Sequence, residues 1–229
     1  MSIFTLPASR VKASALVASG IFLCLAVMYF TPVEIPCKLA FPLASLAVAS
    51  LWLCPWQITL ALLFSALGDM AGAYDNFIAQ MGSFMVAHIF FIWFFVGRYF
   101  TKVEKDMKLT AKAKGYLAMV IFCIIVLLAI AFTRIIPAAP AGLIRTGAGL
   151  YAVIISLMLL AAMLQRSSLY ALGALIFVFS DFILAWNRFV EPIPEADLLI
   201  LVPYFLGQWL LFIRSTSFRI APEMRILRF

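Results

Sequence analysis

Eight long apolar runs constrain this chain more than any other feature. They fall at about 14–30, 38–54, 57–73, 78–100, 115–132, 142–164, 168–186 and 197–214, with only short breaks between them. A helix that crosses the hydrocarbon core of a bilayer needs ~20 apolar residues, so eight such runs use most of the 229 residues. Composition closes off the other classes. The chain is 66% hydrophobic and 12% charged, whereas a soluble domain is roughly a quarter charged. Too little polar surface exists to cover a water-facing globule, which excludes a soluble enzyme, a coiled coil and a disordered chain. The reading is an all-α polytopic membrane protein with eight transmembrane helices. It forms one integral membrane domain over residues 1–229, with no room for a second soluble domain.

The breaks have recognisable chemistry. Pro32 and Pro36 separate the first two runs, Pro55 the next two, and Ala73-Tyr74-Asp75-Asn76 the third and fourth. Pro137 and Pro140 precede the sixth run, and Pro192 and Pro194 the eighth. The second run is short and contains Pro42, which predicts a kink or a smaller tilt. With the N-terminus inside, 13 of the 17 Lys and Arg fall on the cytoplasmic side and four, Lys38, Arg134, Arg145 and Arg188, on the other. That asymmetry sets both termini inside. It also explains the net charge of +7 without nucleic acid. The basic stretch Lys102 to Lys114 reads as a topogenic cytoplasmic loop, with an anionic-lipid site as the alternative. Arg10 and Lys12 precede an apolar stretch with no clear cleavage site, so that stretch is a retained helix. Cys24, Cys37, Cys54 and Cys123 are scattered and act as small apolar fillers, forming neither a disulfide framework nor a metal set.

Ionisable residues deep in a span are expensive and mark function by default. Three stand out: Asp69 near the outer end of the third run, His88 midway along the fourth, and Asp181 in the outer half of the seventh. The third and seventh runs share a direction, so both carboxyls sit at similar depth, within roughly 10 Å of the outer interface at 1.5 Å rise per residue. Lys38 and Arg145 open the second and sixth runs at that same level, and Gln208 lies slightly deeper. Asp69 and Phe77 are eight apart, as are Asp181 and Phe189, and Asn76 and Asn187 fall shortly before those phenylalanines. This echo predicts two four-helix halves, 1–114 and 115–229, repeated in parallel about an axis near the membrane normal. Plainer roles compete: Lys38 and Arg145 as snorkelling cations, Asn76 and Asn187 as turn or cap residues, Gln208 as interhelical glue. His88 competes as a core histidine donating to a carbonyl or hydroxyl.

Leu67-Gly68-Asp69, then Phe77, then Gly82-Ser83-Phe84 leading to His88, resembles the central signature of the YhhN-like lysoplasmalogenase family. Gly173 to Asp181, with Asn187-Arg188-Phe189, is similar to its second signature. Tyr204-Phe205-Leu206-Gly207-Gln208 resembles the tyrosine-to-Gln element of its last span, and Lys38 with Pro42 its opening element. The resemblance implies an eight-helix membrane hydrolase that cleaves the vinyl ether bond of lysoplasmalogens to a fatty aldehyde and glycerophosphoethanolamine or glycerophosphocholine. It implies Asp69 and Asp181 as the catalytic pair, with no metal or cofactor. Around the lysophospholipid, Lys38 and Arg145 are expected to hold the phosphate, Asn76 or Asn187 to lie near the glycerol hydroxyl, and His88 and Gln208 to position water or an Asp, with Tyr204 also at the substrate. Ala71-Gly72-Ala73 departs from the bulkier apolar residues usual after the first Asp.

That chemistry suits two carboxyls. A vinyl ether hydrolyses by protonation of its β-carbon to an oxocarbenium ion, which water captures. One acid holds the proton while the other, ionised, stabilises the cation, as in glycoside hydrolysis; which Asp is which stays open. A zinc hydrolase needs several histidines, and this chain has one. An intramembrane aspartyl protease is disfavoured because Ala66-Leu67-Gly68-Asp69 lacks the first glycine of a GxGD pattern. A proton-coupled transporter remains the alternative, since paired intramembrane acids serve one as well. Short loops point to a bacterial inner membrane.

Overall fold

Apolar stretches punctuated by proline favour helices that satisfy their own backbone hydrogen bonds, and helices are what form. The computed structural model describes residues 7–103 and 111–219. In chain order these comprise α1 (Ala8–Tyr29), α2 (Phe41–Leu53), α3 (Trp56–Ala73), α4 (Phe77–Val103), α5 (Ala111–Ile130), α6 (Ile136–Ala138), α7 (Leu143–Met163), α8 (Ser168–Phe189) and α9 (Ala196–Thr216). No strand occurs among the described residues. Each of the eight apolar runs carries a helix, with ends shifted by a few residues. The fifth run does not stop where expected: α5 continues through a π-helical turn at Ala131–Ile135 into α6. It ends at Ala139, which is extended as the residue before a proline must be.

Six helices are long and apolar enough to cross a membrane: Ala8–Tyr29, Phe77–Tyr99, Gly115–Ala138, Leu143–Met163, Ser168–Phe189 and Ala196–Thr216. The chain is therefore an integral multi-pass membrane protein. The second run forms a shorter apolar helix over Lys38–Leu53, entered by a 3-10 turn whose preceding residue, Cys37, is left-handed at φ 56°. Helix α3 has 18 residues and includes Gln57 and Asp69, which lower its apolarity. Large apolar side chains such as Leu16, Trp52, Phe122 and Leu143 stand exposed along their helices, as expected where lipid rather than water is the solvent. The middle of the basic stretch, residues 104–110, lies outside the described residues.

Among the described residues two compact units are distinguished, residues 7–87 with 208–219, and the described part of 88–207. In the first, α2 packs between α1 and α3 around Leu43, Leu46, Ile58 and Leu62, all fully buried. The end of α9 is tied in by Trp209, whose Nε1 donates to Ser19 Oγ at 2.9 Å. Two glycines one turn apart on α3 allow close approach by α4. A Cβ at Gly68 would lie 3.0 Å from the Phe84 ring, and one at Gly72 would lie 2.7 Å from the Gln80 amide. This small-xxx-small spacing is how membrane helices approach, and Asp69 lies within it.

In the second unit α7 packs on α5 and α8 around Phe91, Phe95, Met158, Leu159, Tyr170 and Phe177. Its polar staple is Gln165, just past the end of α7. The Gln165 Nε2 donates to the carbonyls of Phe95 (2.8 Å) and Ala161 (3.1 Å), and its Oε1 accepts from Arg98 Nε at 3.0 Å. Gln165→Leu keeps the volume but strips these bonds from a buried position. It is expected to cost about 1–3 kcal/mol, read as a lower melting midpoint in detergent. An unchanged midpoint would mean that the staple contributes nothing.

Candidate active site

The second unit builds a three-helix polar cluster in an apolar setting. α4 supplies His88, fully buried; α7 supplies Tyr151; α8 supplies Asp181, 8% exposed. The Tyr151 hydroxyl donates to Asp181 Oδ2 at 2.5 Å. His88 Nε2 lies 3.1 Å from that hydroxyl oxygen and 3.4 Å from the same Oδ2. Tyr151 has a single proton, which goes to the carboxylate. His88 Nε2 faces two acceptors and therefore carries hydrogen, since a neutral imidazole donates from one nitrogen and accepts at the other. His88 Nδ1 is buried and has no hydrogen-bond partner among the described residues.

The surroundings hold this cluster in place. Phe177, one turn before Asp181, packs its ring 4.8 Å from the His88 ring and 5.5 Å from that of Tyr204. Ser180, beside Asp181, donates its hydroxyl to the Ile200 carbonyl at 2.8 Å, in the stretch of α9 that Pro203 interrupts. Gly207 lets α9 sit against the α8 backbone: a Cβ there would meet the Gly173 carbonyl oxygen at 2.8 Å. Tyr204 is thus a buried member of an aromatic cluster with Phe177 and Phe205.

The first unit holds the other acid. Asp69 is 2% exposed, one helical turn from Ser65 on α3. Ser65 Oγ donates to the Ala61 carbonyl at 3.0 Å and accepts from Gln208 Nε2 at 2.9 Å. Because the only Ser65 proton is used on the carbonyl, Gln208 must present its NH2 there. Its Oε1 is then left buried, with no partner among the described residues.

The remaining expected site residues are occupied with backbone. Lys38 Nζ donates to the carbonyls of Thr31 and Val33, each at 3.0 Å, and lies 5.4 Å over the Tyr29 ring. This puts a cation against the carbonyl end of α1. Arg145 donates from Nε and Nη2 to Ala139 O, at 3.0 and 2.8 Å, and from Nη2 to Pro137 O at 3.1 Å. Asn76 caps α4, its Oδ1 accepting from Ala79 N–H at 3.1 Å. Asn187 Oδ1 accepts from Ile193 N–H at 2.8 Å and closes the link to α9. The cap and turn roles weighed for Asn76 and Asn187 are therefore present, while Lys38 and Arg145 are bound to backbone carbonyls.

Sequence reasoning missed Tyr151. Tyrosine counts as apolar in composition, and its hydroxyl is hidden within the run 142–164. The rule that singled out Asp181 and His88, a polar group in mid-span, applies equally to that hydroxyl. Ser65, the partner of Gln208, escaped in the same way. Among the described residues no three His, Cys, Asp or Glu gather as a metal set.

Comparison with known proteins bears on this arrangement. Lysoplasmalogenase TMEM86B of Sus scrofa is 28% identical over 166 residues, which is 72% of this chain and 64% of that protein. The Homo sapiens protein of that name is 30% identical over 152 residues, 66% of this chain and 59% of its own length. The Rattus norvegicus protein is 29% identical over 157 residues, covering 68% and 60%. The aligned part thus spans about 60% of the length of these curated relatives. No solved structure matches. The YhhN family's sequence model matches residues 26–215, a stretch that includes every residue of the candidate site, and the chain belongs to the YhhN family.

Proposed function

We propose that this protein is a membrane hydrolase that cleaves the vinyl ether bond of lysoplasmalogens, releasing a fatty aldehyde and a glycerophospho-headgroup. The observation that carries this reading is the Asp181 carboxylate. It is buried inside an apolar helix and hydrogen-bonded by Tyr151, in a chain related to proteins named lysoplasmalogenase. Asp181 and Asp69 divide the work. One carboxyl delivers a proton to the β-carbon of the vinyl ether. The other, ionised, stabilises the oxocarbenium ion, because fixed charge in a poorly hydrated site acts far more strongly than in water. Water then adds to the cation, and the hemiacetal breaks down to aldehyde and alcohol. His88 and Gln208 position groups around this step. Lys38 and Arg145 each retain donor hydrogens beyond those given to carbonyls and serve the phosphate.

The same proposal takes α2 and α3 as shorter spans. They complete eight helices with both termini inside, arranged as two parallel halves, in a bacterial inner membrane.

Detergent-solubilised protein is expected to release aldehyde from a lysoplasmalogen. A proton-coupled transporter, the second reading of two intramembrane acids, moves substrate only in sealed vesicles and releases none. Absence of aldehyde from folded, solubilised protein would reject the hydrolase.

A further inference from the structure

Resting on the hydrolase reading, we propose that His88 Nδ1 is the acceptor for the sn-2 hydroxyl of the lysolipid, and so reads whether that position carries a free hydroxyl. The argument begins with the two buried polar atoms that have no partner among the described residues, His88 Nδ1 and Gln208 Oε1. Both are acceptors in the hydrogen-bonding states argued above. A buried acceptor without a donor is costly, and a site that leaves one is built for a ligand that brings a hydrogen. Lysophospholipids carry such a hydrogen on the sn-2 oxygen; the diradyl lipid has an ester there and no donor.

His88 is better placed for this task than the asparagines. Asn76 and Asn187 each use their carbonyl oxygen on a loop N–H. Against His88 Nε2 stand the Tyr151 hydroxyl and the Asp181 carboxylate, while Phe177 and Tyr151 lie against its ring at 4.8 and 5.4 Å between centroids. These contacts fix the tautomer and the plane, so Nδ1 points in one direction only. The sn-2 carbon is bonded to the carbon that bears the vinyl ether oxygen. A hydroxyl anchored on Nδ1 therefore holds the scissile group beside the histidine that Asp181 supports. Asp181 and Tyr151 act here as positioning residues for His88.

The test compares two substrates in detergent: 1-alkenyl-glycero-3-phosphoethanolamine, and the analogue that lacks the sn-2 oxygen. For the unsubstituted protein, deleting the hydroxyl is expected to lower kcat/KM by about 100-fold or more, because a site built to bond a hydroxyl rejects its absence strongly. His88→Phe fills the aromatic slot without an acceptor and should bring the two substrates within about 5-fold of one another. His88→Asn puts an amide oxygen near the former Nδ1 and should restore about a 10-fold preference. Tyr151→Phe should slow both substrates while leaving the ratio intact. Comparable cleavage of both substrates by the unsubstituted protein overturns this proposal alone. So does an undiminished ratio in His88→Phe or, if that variant is inactive, a lost ratio in active His88→Asn. No aldehyde from the lysolipid itself overturns the hydrolase reading and this proposal with it.

Discussion

Asp181→Asn protein, solubilised and folded, is expected to release aldehyde at least ~100-fold more slowly than the unsubstituted chain, the scale seen when a charge-stabilising or acid–base group is removed. The substitution is nearly isosteric. Tyr151 can still donate to the amide oxygen, so the cluster keeps its shape while losing its negative charge and its capacity to exchange a proton. Asp69→Asn is expected to show a loss of the same order, because Asp69 is equally encased on α3. Each variant should elute and melt like the parent, which separates lost chemistry from lost fold. Aldehyde release close to that of the unsubstituted protein by either variant would remove that carboxyl from the mechanism.

Gly207→Leu is expected to have the largest effect on the fold. The position has almost no room: a single Cβ would lie 2.8 Å from the Gly173 carbonyl oxygen, 3.1 Å from Phe177 N and 3.2 Å from Phe177 Cβ. All three are atoms of or next to the α8 backbone, so no rotamer change relieves the clash, and α9 must move away from α8. Overpacking of this kind costs about 1–3 kcal/mol or more, and the displaced Phe177 is the residue that packs on His88. The melting midpoint should fall by several degrees, and aldehyde release should fall with it. Gly82→Ala is the control: nothing lies within 4 Å of a Cβ there, and alanine favours a helix interior over glycine by about 1 kcal/mol. Equal melting of Gly207→Ala and Gly82→Ala would contradict the close approach of α8 and α9.

Much of this architecture was legible along the chain because its causes are local. Apolar length and proline breaks are properties of consecutive residues, and each expected run carries a helix. The flagged mid-span groups Asp69, His88, Asp181 and Gln208 are all buried, as the penalty for a polar group facing lipid demands. Less local features escaped. The π-turn at Ala131–Ile135 adds a residue to a helical turn, and hydropathy has no term for that. Gly72 reads along the chain as part of a departure from a motif, whereas together with Gly68 it admits Gln80 and Phe84 to α3. Lys38 and Arg145 read along the chain as phosphate-holding or snorkelling cations at span ends. Which carbonyls curl back to meet them depends on loop paths that periodicity does not encode.

The sequence by itself determined that this is a helical membrane protein and which polar side chains must be hidden, because solvent transfer acts residue by residue. Only the tertiary structure decided which of those groups meet. His88 reaches Tyr151 across 63 residues and Gln208 reaches Ser65 across 143. A hydrogen bond forms within a few tenths of an ångström, a tolerance set by helix rotation and close glycine contacts rather than by composition.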